Sequence, residues 1–312
     1  MTKVGKQIYN ISIMKTIVKI WVSIVFMMFF TSCEREKTLS PDVLIDGALF
    51  GKFSISENQQ IRFSRGNLQY NASTDTWHFA EHQWDHVGVD NTNIKNDNYD
   101  GWIDLFGYGT ASKPMTCNAD NSYYGNTYLD ISKEEDKEQD WGWHNKISNG
   151  GNIAHNWRTL TVNELSYLLQ SRPHANDWTF AKVNGILGII LVPDDWEIPQ
   201  GVNYIPRSNT GVYSTSEWAK LEDAGAVFLP AAGWRNIDPD SHSDPMYRKV
   251  TLVEGVGNSG RYWTATPANC YSYKWRGIPF LFDGVKFLIP PMNSDAYSFM
   301  YGYSVRLVQD VK

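Results

Sequence analysis

Apolar and polar side chains alternate from the start of the folded part of the chain. Phe53 and Ile55 are separated from Ile61 and Phe63 by a polar Ser-Glu-Asn break, which predicts a hairpin. Arg65-Gly66-Asn67 supplies a second turn, and Trp77 and Phe79 continue the alternation. Two segments carry the helical period instead. In the first, Thr161 is the predicted N-cap, Glu164 its capping-box partner, and Leu165, Leu168 and Leu169 share one face. The second begins at Ser214 or Ser216, presents Trp218 and Leu221 on one side and stops at Gly225. Directly after it, Ala226 to Leu229 form an unbroken apolar run ended by Pro230. Such a run predicts a strand buried on both faces, so the whole stretch from Ala224 to Arg235 reads as core rather than as a binding site. Further strands are expected within Gly188–Trp196, Gly260–Pro267 and Tyr301–Gln309, the last with Tyr303, Val305 and Leu307 alternating with Ser304 and Arg306. Between Gly88 and Asn156 the pattern fades. Asn, Asp, Gly and Ser dominate there, and the apolar residues stand singly, as Trp102, Leu105, Phe106, Trp141 and Trp143, which predicts a long loop region pinned by aromatics.

The first residues belong to a different kind of segment. Lys15 and Lys19 precede an uncharged apolar run from Ile20 to Phe30, short for a membrane span and of the right size for the hydrophobic part of a signal peptide. Met14 would serve as a start, since Met1 to Ser12 add nothing a signal needs. The run ends in Phe30-Thr31-Ser32-Cys33, which resembles the bacterial lipobox, so residues 1–32 are expected to be removed and Cys33 to carry lipid. A polar tether, 33–47, then leads to a single domain over 48–312.

Composition changes the picture in two respects. Among 312 residues, 14% are aromatic and 20% charged, with 13 Trp and 24 Gly, a profile of short strands and loops around aromatic packing, hence an α+β fold. The formal charge is −6, and loss of Lys3, Lys6, Lys15 and Lys19 with the signal makes it −6 − 4 = −10. Nucleic acid and anionic surfaces are therefore excluded as electrostatic partners. Cys117 and Cys270 remain beside Cys33 and could form one bridge in an oxidising compartment; sequence does not decide whether they meet.

Candidate chemistry is sparse. His78, His82 and His86 are four apart and would share a helix face able to hold zinc, but on a strand four residues span ~13 Å, too far for one ion. Trp77 and Phe79 favour the strand, so no metal and no cofactor is expected. Adjacent acids at Asp194-Asp195, Glu134-Glu135 and Glu222-Asp223 read as a turn, a solvated loop and a helix surface, and no nucleophile elbow or phosphate loop occurs. The aromatic loop "DWGWHN" offers more. Indoles at Trp141 and Trp143 could stack on sugar rings, with Asn145, Asn149 and Asn152 taking hydroxyls. The competing role for these Trp residues is to staple the loop to the core, which sequence favours because most Trp is buried.

Six motifs in order, "DWGWHNKISNGGN", "WRTLTVNELSYLL", "GIILVPDDW", "SEWAKLEDAGAVFLPAAGWR", "GRYWTATP" and "YGYSVRLV", resemble lipoproteins of Bacteroidota that carry the fibrobacter-type major paralogous domain. The resemblance implies a C-type-lectin-like fold: a small, twisted, mostly antiparallel sheet with two helices and a large loop region, distantly related to formylglycine-generating enzymes. It also implies scaffold roles for Arg158, Arg235 and Arg306 in internal ion pairs, and Glu34-Arg35-Glu36-Lys37 resembles the acidic tether that sends some such lipoproteins to the cell surface. The cysteine pair of the formylglycine-generating branch is missing, as are the Glu-Pro-Asn and Trp-Asn-Asp motifs of calcium-dependent lectins. The function expected is therefore a non-catalytic, outer-membrane, lipid-anchored surface protein that binds a glycan or another surface protein. The alternative is a glycan-cleaving or other secreted enzyme with a carboxylate pair in the loop region.

Overall fold

A computed structural model describes residues 47–94, 96–112, 114–115, 129–237, 250–268, 277–291 and 301–311. Cys33, Cys117 and Cys270 lie outside the described residues. The elements are mixed α and β, in small and mostly antiparallel sheets with few helices.

The alternating N-terminal pattern forms the expected hairpin, β1 (Phe53–Ser54) and β2 (Gln60–Phe63), with Phe53 opposite Ile61. Ile61 and Phe63 point inward and Gln60 and Arg62 outward, as period-two patterning requires. At the far end of the chain β15 (Val308–Asp310) pairs antiparallel with β2, Val308 opposite Phe63. Next come β3 (Leu68–Asn71), β4 (Thr76–Phe79) and the short β5 (Trp102–Ile103), in the order β4-β3-β5.

The largest sheet has the order β8-β6-β7-β9, from β6 (Thr179–Val183), β7 (Ile186–Leu191), β8 (Gly211–Tyr213) and β9 (Val227–Pro230). Asn184 (φ 49°) and Gly185 (φ 81°) turn β6 into β7, the left-handed pair that suits a two-residue hairpin loop. Only β6 and β8 run parallel. β9 is the continuous apolar run, and every residue in it is buried. Phe228 packs among Trp196, Trp218 and Tyr213 on one side, while Val227 and Leu229 pack among Phe180, Ile189 and Phe63 on the other. Two buried faces explain why this strand shows no alternation, and each large apolar side chain buried there contributes roughly 1.5–3 kcal/mol. Gly188 on β7 is required for the same closeness, because a β-carbon there would sit 2.4 Å from the Leu229 carbonyl oxygen.

Helix α1 is a single turn (Trp141–His144), and α2 (Val162–Gln170) and α3 (Thr215–Asp223) are longer. Both longer helices start in reciprocal capping boxes, Thr161 with Glu164 and Ser214 with Glu217. Gly225 (φ 90°) follows α3 in the left-handed conformation expected of a C-terminal cap. The rest of the chain forms β10 (Trp234–Ile237) with β11 (Val250–Glu254), and β12 (Gly260–Pro267), β13 (Gly277–Phe282) and β14 (Phe287–Leu288) in that order.

Three expectations are corrected. The region from Gly88 to Asn156 holds more than loops: 3-10 turns at Gly88–Asn93 and Glu134–Gln139 add to β5 and α1. Three acids lie in the first turn of Glu134–Gln139, where negative charge suits the positive end of the turn's dipole, which favours a helical turn where a charge run suggests only a solvated loop. The second correction concerns Tyr301–Gln309. Residues 302–308 are all buried, Ser304 and Arg306 included, because the segment bridges Phe106, Arg235 and Tyr262 rather than presenting one face to water. The third concerns the arginines. Arg158 does pair with Glu164 and Asp310. The Arg235 Nε donates to the Leu105 carbonyl; it is Arg306 that departs from the expectation, held by neutral acceptors, the Gln83 side-chain oxygen at 2.7 Å and the Phe228 carbonyl at 3.4 Å. Burial pulls the Arg306 guanidinium down to about 10.

All described residues belong to one compact unit, Val43–Lys312. No helix among them is long and apolar enough to cross a membrane.

Candidate functional site

The residues that build the site radiate from Asp140. One carboxylate oxygen accepts the Gly142 and Trp143 backbone N–H groups (2.9 and 3.3 Å), capping α1, and the other accepts Thr159 N–H at 2.9 Å. This single buried side chain thus fastens α1 to the segment that enters α2. Burial pushes its carboxyl upward, against the backbone donors that favour the ionised form. Gly142 permits the contact, since a β-carbon there would lie 2.7 Å from the Trp157 carbonyl carbon.

On a helical turn, residues two apart face nearly opposite ways, and the two indoles of "DWGWHN" divide accordingly. Trp141 is fully buried, 6.4 Å from the Phe106 ring. Its place is the core, where the sequence allowed either a staple or a ligand platform. Trp143 is only half-buried. The Lys137 ammonium stands 4.4 Å from its ring centroid, and the His155 ring meets it edge-on at 4.5 Å.

Facing Trp143 is a polar wall. Arg158 is clamped between Asp310 (2.7 Å) and Glu164 (2.8 Å), while the same Glu164 also caps α2 through Thr161. Between the two walls runs a groove of about 340 Å³, lined also by Lys137, Asp140, Ser132, Gln59 and Thr161. Its charged lining is Lys137 and Arg158 against Asp140, Glu164 and Asp310, formally 2 − 3 = −1. Anions gain nothing here, and the guanidinium, tied to two carboxylates, has little left to offer one.

The structure does not gather the other expected binding residues into this groove. Asn145 donates to the Ala111 and Trp141 carbonyls, and Asn149 mimics a backbone strand by accepting from Phe79 N–H and donating to Phe79 carbonyl. Asn152 is exposed in the left-handed region (φ 53°) and does not line the groove. Sequence reading missed Lys137, Gln59 and Asp310. Lys137 was hidden in a charge run, and Asp310 reaches the site only because β15 returns beside β2, which no local pattern encodes.

The three histidines have separate partners. His78 stacks on Trp102 (3.6 Å) and bonds Gln69, His82 stacks on Trp84 and bonds Asp85, and His86 bonds the Trp84 carbonyl. Among the described residues no three His, Cys, Asp or Glu side chains are arranged to hold a metal. Burial lowers the His78 ring from its ordinary range to about 4, with Arg65 acting in the same direction and Glu81 against it. A lowered folded value means that the unfolded chain takes up the proton first. The stability contributed by the neutral ring is therefore complete above about pH 6.5 and is lost as the pH falls towards 4. Chemical denaturation across that window should show a steeper pH slope for the native chain than for His78→Gln; equal slopes would contradict this.

None of the three acidic pairs lines the groove. Asp194 is half-buried and Asp195 exposed, and Glu222 accepts from the Gln83 amide at 2.7 Å. Comparisons with protein-family models, with curated proteins and with solved structures give no match to this chain.

Proposed function

We propose that this chain is a lipid-anchored surface protein of the outer membrane whose folded part is a C-type-lectin-like binding module, and that the groove beside Trp143 takes an uncharged glycan. The observation that carries the reading is that a half-buried indole and acceptors fixed by Arg158 line the same groove. An indole offers an apolar face to a sugar ring, while the oxygens of Glu164, Asp310 and Gln59 have lone pairs left for hydroxyl donors. The acids are held in place by Arg158, so little side-chain freedom is lost when they bind. Both being tied to one guanidinium also supports a non-catalytic role, since glycoside hydrolysis needs two carboxyls flanking an open bond site. The lectin-like assignment is supported by small, mostly antiparallel sheets with few helices. Surface anchoring rests on the Cys33 lipobox and the acidic tether in the sequence.

Two experiments test the two halves separately. Labelled palmitate should enter the native protein and fail to enter Cys33→Ala, and equal labelling would remove the lipid anchor. A glycan array probed with residues 34–312 should show retention of uncharged glycans. Signal no higher than that of the heat-denatured protein would overturn the binding role.

A further inference from the structure

A second pocket lies on the sheet β12-β13-β14, and the strand register shows how it is made. Arg261 is opposite Leu281, and Leu281 is opposite Leu288, so these three side chains form a row across one face of the sheet. Ser259, Asp283 and Lys286, each two residues away on the same strands or their ends, add a second row on that face. The opposite face carries Tyr262, Phe282, Phe280 and Phe287, which pack into the core. The two outer rows, together with parts of Phe282 and Phe287, line an open pocket of about 240 Å³, apolar at Leu281 and Leu288 and polar at Arg261, Lys286 and Ser259.

Arg261 is the unusual member. Its guanidinium lies 3.3 Å from the Trp234 ring centroid and 5.6 Å from that of Tyr303, so aromatic rings hold it in place. Stacking occupies the faces of the planar group and leaves its N–H edges to other partners. Its one side-chain hydrogen bond is a long one, 3.4 Å to the Tyr303 hydroxyl, and no carboxylate among the described residues pairs with it. Arg158, in contrast, is saturated by two carboxylates. Asp283 caps the Val285 and Lys286 backbone N–H groups and attracts the Lys286 ammonium without forming an ion pair with it, so it offsets that charge in part. The formal charge of the pocket is then Arg261 and Lys286 against Asp283, 2 − 1 = +1, on a chain that is −6 overall.

We infer that this pocket is a binding site for a small organic carboxylate, with the acid group on the Arg261 edge and Lys286 and the body of the molecule against Leu281 and Leu288. A fixed guanidinium with no carboxylate partner among the described residues is preorganised for a planar carboxylate, and the ordering cost falls mainly on the ligand. The site is separate from the Trp143 groove in residues and opposite to it in charge, so it stands whether or not that groove binds glycan.

Calorimetric titration of residues 34–312 with benzoate, with glucuronate and with neutral benzamide tests it. At least one of the two acids should bind, benzamide should not, and Arg261→Gln should weaken the acid by about tenfold, the scale of a charge-assisted pair. Lys286→Gln, an exposed turn substitution that leaves the Arg261 stack in place, should weaken it severalfold and flatten its salt dependence, while Trp143→Ala should leave it unchanged. Preference for glucuronate would identify an acidic sugar and preference for benzoate an apolar acid. Binding of neither acid, equal binding of benzamide, or affinities unchanged in both Arg261→Gln and Lys286→Gln would overturn the site.

Discussion

Asp194→Ala should cost about 3–5 kcal/mol and lower the melting temperature by roughly 10 °C, although the side chain belongs to a loop turn. Asp194 receives Ser54 N–H (2.7 Å), the Ser54 hydroxyl (2.6 Å) and the Gln60 amide (3.0 Å) on one oxygen, and Arg172 (3.1 Å) on the other. It therefore fastens the first hairpin to the end of β7 and to the residues after α2. The Arg172 side chain is only 2% exposed, and its remaining donors reach the Leu168, Pro173 and Val192 carbonyls. Burial already pulls this guanidinium below its ordinary value, with Asp194 as the main opposing influence. Removing the acid strands a buried charge, which costs more than the pair contributes. Asp195 next to it is exposed, so Asp195→Ala should stay within ~0.5 kcal/mol. Thermal unfolding of both variants checks the contrast, and similar losses would show that Asp194 has no special place.

Trp141→Ala is expected to be as damaging, about 3–5 kcal/mol, because it empties the volume of a fully buried indole among Phe106, Trp157 and their neighbours. Trp141→Phe should cost clearly less. The indole N–H has no hydrogen-bond partner among the described residues, so phenylalanine keeps most of the ring packing and removes a buried donor that is left unsatisfied. A phenylalanine variant as unstable as the alanine one, read from denaturant midpoints, would mean that the N–H is bonded and that the packing account of this turn is incomplete.

How much of this was legible in the sequence follows the range of the interactions. Helices α2 and α3 and their capping boxes were readable, because a cap involves residues three apart. β9 was readable from its unbroken apolar run, and β1 with β2 from alternation. The segment around Tyr303 was misread as a one-faced strand, since what buries Ser304 and Arg306 lies more than forty residues away on β12 and far beyond that at Gln83. The groove was half legible. Trp143 announced itself by residue type, but Trp141 did so equally, and only the orientation of α1 separates them. Arg158 could be assigned an ion pair, whereas Asp310 as its partner depends on β15 closing against β2, 152 residues along the chain. Asp140, which orders the whole site, looked like the last residue of a charge run.

That division between the two indoles is the point on which the functional account turns, and one comparison tests it most directly. The strongest uncharged array ligand is titrated into the native domain and into Trp143→Ala, and the melting temperature of each is recorded. The account predicts at least tenfold weaker binding, with a stability loss of about 1 kcal/mol or less, as for a half-buried groove residue. Undiminished affinity, or a loss of stability as large as that of Trp141→Ala, would place Trp143 with its neighbour in the scaffold and leave the groove without its ligand.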